Sequence, residues 1–462
     1  MVLNWLNRFV WGAPALTLIL GVGLFLSVRT GFAQITLLPS AFRQFLAKLR
    51  QGSGEDGVSP FQALCTALAA TVGTGNLVGV AGAISLGGPG AIFWMWVCAI
   101  LGMATKFAEA TLAVRYRTKE KGEYVGGPMY MIRQGMGKNW NWLACLYSFF
   151  GIVAAFGVGN ATQINAVITG MNEVLTAFGG NESRMSNLLM GIILALLIGS
   201  MLLGGAKRIG SVAEMLVPFA SCAYILLSAG VVVMRASAIP EAFASIFKGA
   251  FSPRAVTGGM LGSAFQALRV GVSRGVFTNE AGMGTASIAH ASAKVDHPAE
   301  QGLMGIMEVF LDTIVICTMT ALVILVSGVP ISYGMDVGGT LTTQAFSSVY
   351  GEWVTVILAL ALCCFAFATV LGWGLYGARC AQFLFGAKAW KPFALLQIVT
   401  VVLSAALETG VIWSVAETVN GLMAIPNLIA LVILSPELRR LTIEYKIIRG
   451  QTAAGGTYEN LD

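Results

Sequence analysis

The segment Ala69-Ala70-Thr71-Val72-Gly73-Thr74-Gly75-Asn76-Leu77-Val78-Gly79 limits the folds open to this chain more than any other. It lies inside an apolar run from about Phe61 to Leu86, otherwise long enough to cross a bilayer as a helix. Gly73 and Gly75 flank Thr74, and Asn76 follows, so helix propensity collapses in the middle of the run. Unwound backbone in hydrocarbon costs several kcal/mol per group unless protein or water satisfies it. A chain that keeps such a defect uses the freed amides and carbonyls as ligands, which points to a broken helix holding a small charged solute and a cation.

Composition places this helix in a membrane. Apolar residues make up 56% of the 462 and charged residues 11%, against about 25% charged in soluble domains. The eight cysteines lie mostly in apolar runs without CxxC spacing, as buried thiols do, and two histidines are too few for a zinc site unaided. The net charge of +6 could suggest nucleic acid, but the placement of the basic residues assigns it to topology instead.

Trp11 to Val28 is a first apolar span, too long for a signal h-region and without a basic n-region. The stretch 29–59 is a polar linker whose Phe42, Phe45, Leu46 and Leu49 oppose Arg43, Lys48 and Arg50, the pattern of a helix lying along the inner surface. Further spans are predicted near 61–86, 89–114, 142–170, 186–204, 211–234, 257–289, 303–328, 350–377, 394–410 and 412–435, an all-α integral membrane protein of about eleven transmembrane helices. With the amino terminus outside, inward segments hold 20 Lys and Arg and outward segments five. This is the positive-inside pattern, with the carboxyl terminus cytoplasmic, and it removes nucleic acid as a partner.

Ten spans follow the first, and two groups of five then begin from opposite sides, so any repeat between them is inverted. The expected units are an amino-terminal helix and linker (1–60), a first repeat (61–234), a second repeat (257–435) and a cytoplasmic tail (436–462). The first helix of each half looks broken, at 73–76 and around Gly271-Val272-Ser273-Arg274-Gly275. Paired interrupted helices in inverted halves point to a transporter site at the midplane. The competing reading is that the glycines only let helices approach closely, as Gly75-x-x-x-Gly79 would; it does not explain the Asn and Arg within the breaks.

Four motifs carry a resemblance: Val72-Gly73-Thr74-Gly75-Asn76, Val125-Gly126-Gly127-Pro128-Met129-Tyr130, the run Arg274 to Gly284 with its Asn279-Glu280-Ala281-Gly282, and Leu371-Gly372-Trp373. Together they resemble the alanine/glycine:cation symporter family. The resemblance implies a leucine-transporter-type fold, a 5+5 inverted-repeat core behind one extra helix, and import of alanine or glycine coupled to sodium across a cell membrane.

An amino-acid zwitterion needs donors for its carboxylate and acceptors for its ammonium. The amides of Gly73, Thr74 and Gly75, at the positive end of a half-helix, suit the carboxylate, and the carbonyls from Ala69 through Thr71 to Val72 suit an ammonium or sodium ion. The resemblance adds Asn76 as a polar ligand, and the Ala69 and Val72 carbonyls with Thr369 as a sodium site. Gln163 on the third core span is read either as an interhelical hydrogen bond or, by the resemblance, as a substrate ligand. Trp373, four residues after Thr369 and so on the same helical face, would wall the pocket, with Phe156 and Phe277 as further candidates. Ser273, Thr278 and Asn279 are candidate ligands on the second broken helix, in unfixed register. The sequence departs from the family pattern at Ala368, where a second hydroxyl is expected, and at Ala378, where an acid is.

Several charges fall within spans. Lys106 and Glu109 are spaced to neutralise each other, Arg274 and Glu280 to bracket the second break, and Glu308 and Asp312 lie one turn apart, so that one is protonated or paired. A proton-coupled transporter of small neutral amino acids is therefore an alternative, and a membrane-embedded enzyme a weaker one. No GxxxxGK[ST] is present, which favours an ion gradient over ATP as the energy source.

Overall fold

The computed structural model describes residues 12–49, 58–120, 122–177, 179–252, 264–335, 338–406 and 410–453. Trp11, Arg50, the start of the expected 257–289 span, part of 394–410 and the end of the expected tail lie outside them. Helices are numbered in chain order, omitting the shortest turns: α1 Ala13–Arg29, α2 Leu38–Leu49, α3 Pro60–Thr71, α4 Val80–Gly87, α5 Gly90–Arg115, α6 Asn141–Phe156, α7 Thr162–Ala177, α8 Arg184–Leu202, α9 Gly205–Met234, α10 Ile239–Phe251, α11 Ala264–Asn279, α12 Thr285–His290, α13 Pro298–Val309, α14 Thr318–Val326, α15 Thr340–Tyr350, α16 Val354–Phe385, α17 Trp390–Ala406, α18 Gly410–Ile433 and α19 Ser435–Ala453. A hairpin of β1 Thr118–Glu120 and β2 Glu123–Val125 follows α5. Among the described residues, seven helical spans are long and apolar enough to cross a membrane, and up to nine if each of two sharply bent pairs counts as one.

Every predicted span has a helix at its place. The structure adds α10 and α15 in segments read as connections, and α19 in the segment read as a tail. The hairpin and α19 are polar, so a search for apolar runs passes over them.

The first break lies where the glycines put it. Ser59 caps α3 by accepting from the Gln62 amide, with Pro60 in the first turn. The helix ends at Thr71, Val72 is extended, and a π-helical turn over Gly75–Gly79 leads into α4 at a bend of 54°. The second break is not at 271–275. That stretch is continuous helix within α11, and the chain turns at 280–284, where Glu280, Gly282 and Gly284 have φ of 52°, 96° and 78°. Gly271 and Gly275 instead let α11 press on α5: a Cβ on Gly271 would stand 2.3 Å from the Ala91 carbonyl oxygen, and one on Gly275 3.2 Å from the Cys98 Cβ. The packing reading of these glycines is the right one, and the break belongs to the Asn279-to-Gly284 motif, whose two glycines tolerate left-handed backbone.

Two groups of helices meet at the breaks. α5 packs along α13, α11 and α10, and α16 packs along α6, α7 and α9, while α3 touches both α13 and α16.

Candidate functional site

The extended Val72 leaves the last carbonyls of α3 without helical donors. Thr369 on α16 faces them: its hydroxyl donates at 3.0 Å to the Ala69 carbonyl, and a Cβ on Gly73 would stand 2.9 Å from that hydroxyl oxygen. The oxygens of Ala69 and Thr369 therefore sit together beside the free end of a helix dipole, a donor set that fits a hard cation such as sodium. Val72 is buried beside them. The Thr71 hydroxyl turns back along its own helix to the Ala67 carbonyl at 3.4 Å.

Asn76 plays a different part from a free ligand. Its Oδ1 accepts from the Gly73 amide at 2.9 Å, and its Nδ2 donates at 2.7 Å to Asp312 Oδ1, in the π-helical stretch between α13 and α14. Gly73's amide is thus already engaged, a correction to the expectation that three free amides meet a carboxylate. Thr74 and Gly75 line a cavity of 440 Å³, together with Thr162, Arg274, Phe277 and Thr342. Gln163 borders the same turn, its Oε1 accepting from the Thr74 hydroxyl at 3.4 Å. Thr278 presses on Gly75, where a Cβ would stand 3.0 Å from its methyl.

The remaining candidates are placed otherwise. The Phe156 ring packs on Phe393, with centroids 5.1 Å apart, and neither Phe156 nor Ser273 is among the residues lining the cavity. Asn279 is held at the second break, accepting from the Ala281 amide at 3.0 Å and donating to Thr313 at 3.2 Å. Trp373 sits behind Gly159, where a Cβ would stand 2.2 Å from its own, and its indole donates at 3.2 Å to Glu280. Thr369 and Trp373, one turn apart on α16, thus touch the first and the second break respectively. Asp312 as a partner of the first break became visible in the fold, its signal in the sequence being only that carboxylates inside apolar spans are expensive, whereas Glu280, expected to bracket the second break, lies in the turn itself.

The buried charges pair across elements. Lys106 Nζ donates at 2.8 Å to Glu308, not to Glu109, and the other Glu308 oxygen meets His290 at 2.9 Å. Gln301 meets the second nitrogen of that ring at 2.6 Å. Glu109 instead accepts from the amides of Gly282 and Gly284 in the second break, at 2.9 and 3.1 Å, and from Asn427 on α18 at 2.7 Å. An i,i+3 spacing on α5 allowed the Lys106–Glu109 pair; the approach of α13 supplies Lys106 with a better-placed partner. Glu280 accepts from the Thr285 hydroxyl at 2.6 Å, so both its oxygens are bound within or beside the turn. All four carboxylates, Glu109, Glu280, Glu308 and Asp312, are buried.

Residues 1–456 match the family described as the sodium:alanine symporter family. The chain is 43% identical over 460 residues to the sodium/alanine symporter AgcS of Methanococcus maripaludis, covering 98% of each. It is 37% identical over 434 residues to the probable sodium/glutamine symporter GlnT of Bacillus subtilis, covering 93% of this chain and 87% of that one. Among solved structures, MhsT in complex with L-phenylalanine superposes with a TM-score of 0.57 at 14% identity, over 84% of this chain and 97% of that one, a likeness of fold.

Proposed function

The chain belongs to the sodium:alanine symporter family, a family of transporters and not of enzymes, and from that membership we propose that it imports alanine or glycine with sodium by alternating access. The observation that carries the reading is the first break: acceptor oxygens of Ala69 and Thr369 at the end of one half-helix, and Thr74 and Gly75 facing a cavity at the start of the other. Sodium occupies the acceptor side, held by carbonyls of Ala69, Thr71 and Val72 with Thr369. The substrate carboxylate lies against Thr74 and Gly75, with Gln163 and Phe277 at its flank. Asn76 joins the two halves, bracing Gly73 and Asp312. Trp373 closes the pocket beyond Thr369.

In this reading the chain crosses the cell membrane eleven times as one helix plus an inverted 5+5 core, with its amino terminus outside and carboxyl terminus inside. The cavity then opens outward, while Thr369–Ala69 and Trp373–Glu280 close the path inward. The proton-coupled alternative keeps one specific support: among the described residues the four carboxylates Glu109, Glu280, Glu308 and Asp312 are buried, and Lys106 is bonded to Glu308 alone of them.

Proteoliposomes with an inward sodium gradient are expected to accumulate labelled alanine or glycine. Equal uptake with and without the gradient, or chemical conversion of the amino acid, removes the symporter reading.

A further inference from the structure

Glu109 stands apart from the sodium and substrate groups, and its two oxygens live in opposite surroundings. The residue is wholly buried on α5. Oε1 accepts three hydrogen bonds, from the Gly282 amide, the Gly284 amide and Asn427 Nδ2. Oε2 has no hydrogen-bond partner among the described residues and is sealed from solvent. Asn427 is equally buried, its Nδ2 shared between Glu109 and the Gly282 carbonyl at 2.9 Å, and its own Oδ1 is also unpartnered among the described residues. An unpaired carboxylate oxygen inside a membrane protein is costly unless a proton or cation neutralises it.

The charge balance around it points the same way. Near Glu109 are Lys106 one turn back on α5, Glu308 on α13, Tyr147 on α6 and Tyr376 on α16, and Glu280 of the second break acts on the same Lys106. His290 on α12 is bonded to Glu308. Lys106 is committed to Glu308 at 2.8 Å, and the Tyr147 hydroxyl donates to the Met283 carbonyl at 3.2 Å. No cation on these elements is hydrogen-bonded to Glu109 among the described residues. Its hydrogen bonds come only from neutral donors, two on the turn of a broken helix and one on α18, and Lys106 acts on it through space while bonded to Glu308.

We propose that Glu109 is a proton-binding site at the second break, resting on the symport reading for its role in transport. The three N–H groups that the turn and α18 hold on Oε1 favour the carboxylate, against the burial and the unpartnered Oε2 that favour the acid, so these donors set the balance. When those elements move apart the donors leave, and the carboxylate takes one proton from water to become the neutral acid. Their return sends that proton back to water. The proton is thus a second ion whose binding follows the movement of the broken helix, apart from any sodium bound at the first break.

Infrared pH-difference spectra of the full-length protein in lipid read this without any substrate. The expected result is a carboxylic-acid carbonyl band in the wild type that loses intensity in Glu109→Gln and keeps it in Glu280→Gln. No such band, or one of full intensity in Glu109→Gln, overturns the proposal. Should Glu109→Gln fail to fold, Asn427→Leu removes one donor and is expected to move the midpoint of the band to higher pH; an unmoved midpoint counts against Glu109. With a pH dye in wild-type vesicles, sodium plus alanine is expected to cause a proton movement that Glu109→Gln lacks, and no movement in the wild type overturns the link to transport. Alanine accumulation in the same vesicles is scored separately. Its failure with the infrared result intact removes the substrate reading and leaves the proton site standing.

Discussion

At the scale of single residues, the first break depends on two side chains that reach it from other elements. Asn76 satisfies the Gly73 amide and ties it to Asp312, so Asn76→Ala leaves a buried N–H and a buried carboxylate each short of a partner. Uptake is expected to vanish while the protein still elutes as a folded species on size exclusion; wild-type uptake would exclude Asn76 from the site. Thr369→Val keeps the shape of the side chain and removes the hydroxyl beside Ala69. A lost ligand to a charged group is worth about 1.5–3 kcal/mol, so the sodium concentration for half-maximal uptake should rise at least roughly tenfold. A valine variant with unchanged sodium dependence would place the ion elsewhere. These residues were legible as candidates because polar groups are rare in apolar spans; that Asn76 reaches Asp312 was not, since 236 positions separate them.

At the scale of elements, glycine sorts into two uses that sequence spacing does not separate. Gly282 and Gly284 supply left-handed backbone for the turn between α11 and α12, and Gly271 supplies contact between α11 and α5. Gly271→Leu is expected to destabilise the protein by about 1–3 kcal/mol or more, because the neighbour it meets is the Ala91 backbone rather than a movable side chain. Gly21→Ala, with nothing within 4 Å of the new methyl, should be neutral or mildly stabilising. Thermal unfolding in detergent distinguishes them, and equal midpoints would refute the packing role. Cutting the buried pair should also cost heavily: Lys106→Met leaves Glu308 without its ammonium, and losing one partner of such a pair costs about 3–5 kcal/mol.

At the scale of the whole molecule, two bodies of helices touch at both breaks through α16, and the polar α19 packs across α1, α5, α13 and α18. Arg440 and Arg115 hold the Glu437 carboxyl down at about 2, below its usual 4.5. A depressed carboxyl contributes stability above its unfolded value and loses it as pH falls toward the folded one. Protection of the α19 amides, taken relative to their intrinsic exchange at each pH, is therefore expected to fall between about pH 4.5 and 2, modestly because the group is partly exposed, and in Glu437→Gln to be low throughout. Protection that ignores pH over that range would detach α19 from this contact.

Membrane residence, the placement of the spans, and the first break all follow from local chemistry: apolar length, charge depletion and two glycines around a threonine act within a few residues of chain. The second break was misplaced because a glycine pair reads the same whether it bends a helix or admits a neighbour, and only the position of α5 distinguishes the two. Charge pairing failed for the same reason. Lys106 and Glu109 are neighbours along α5, yet α13 brings Glu308 to the lysine while the turn and α18 bring three N–H groups to the glutamate. Where a property is set by one stretch of chain the residues speak for it; where it is set by what a distant helix brings, packing decides.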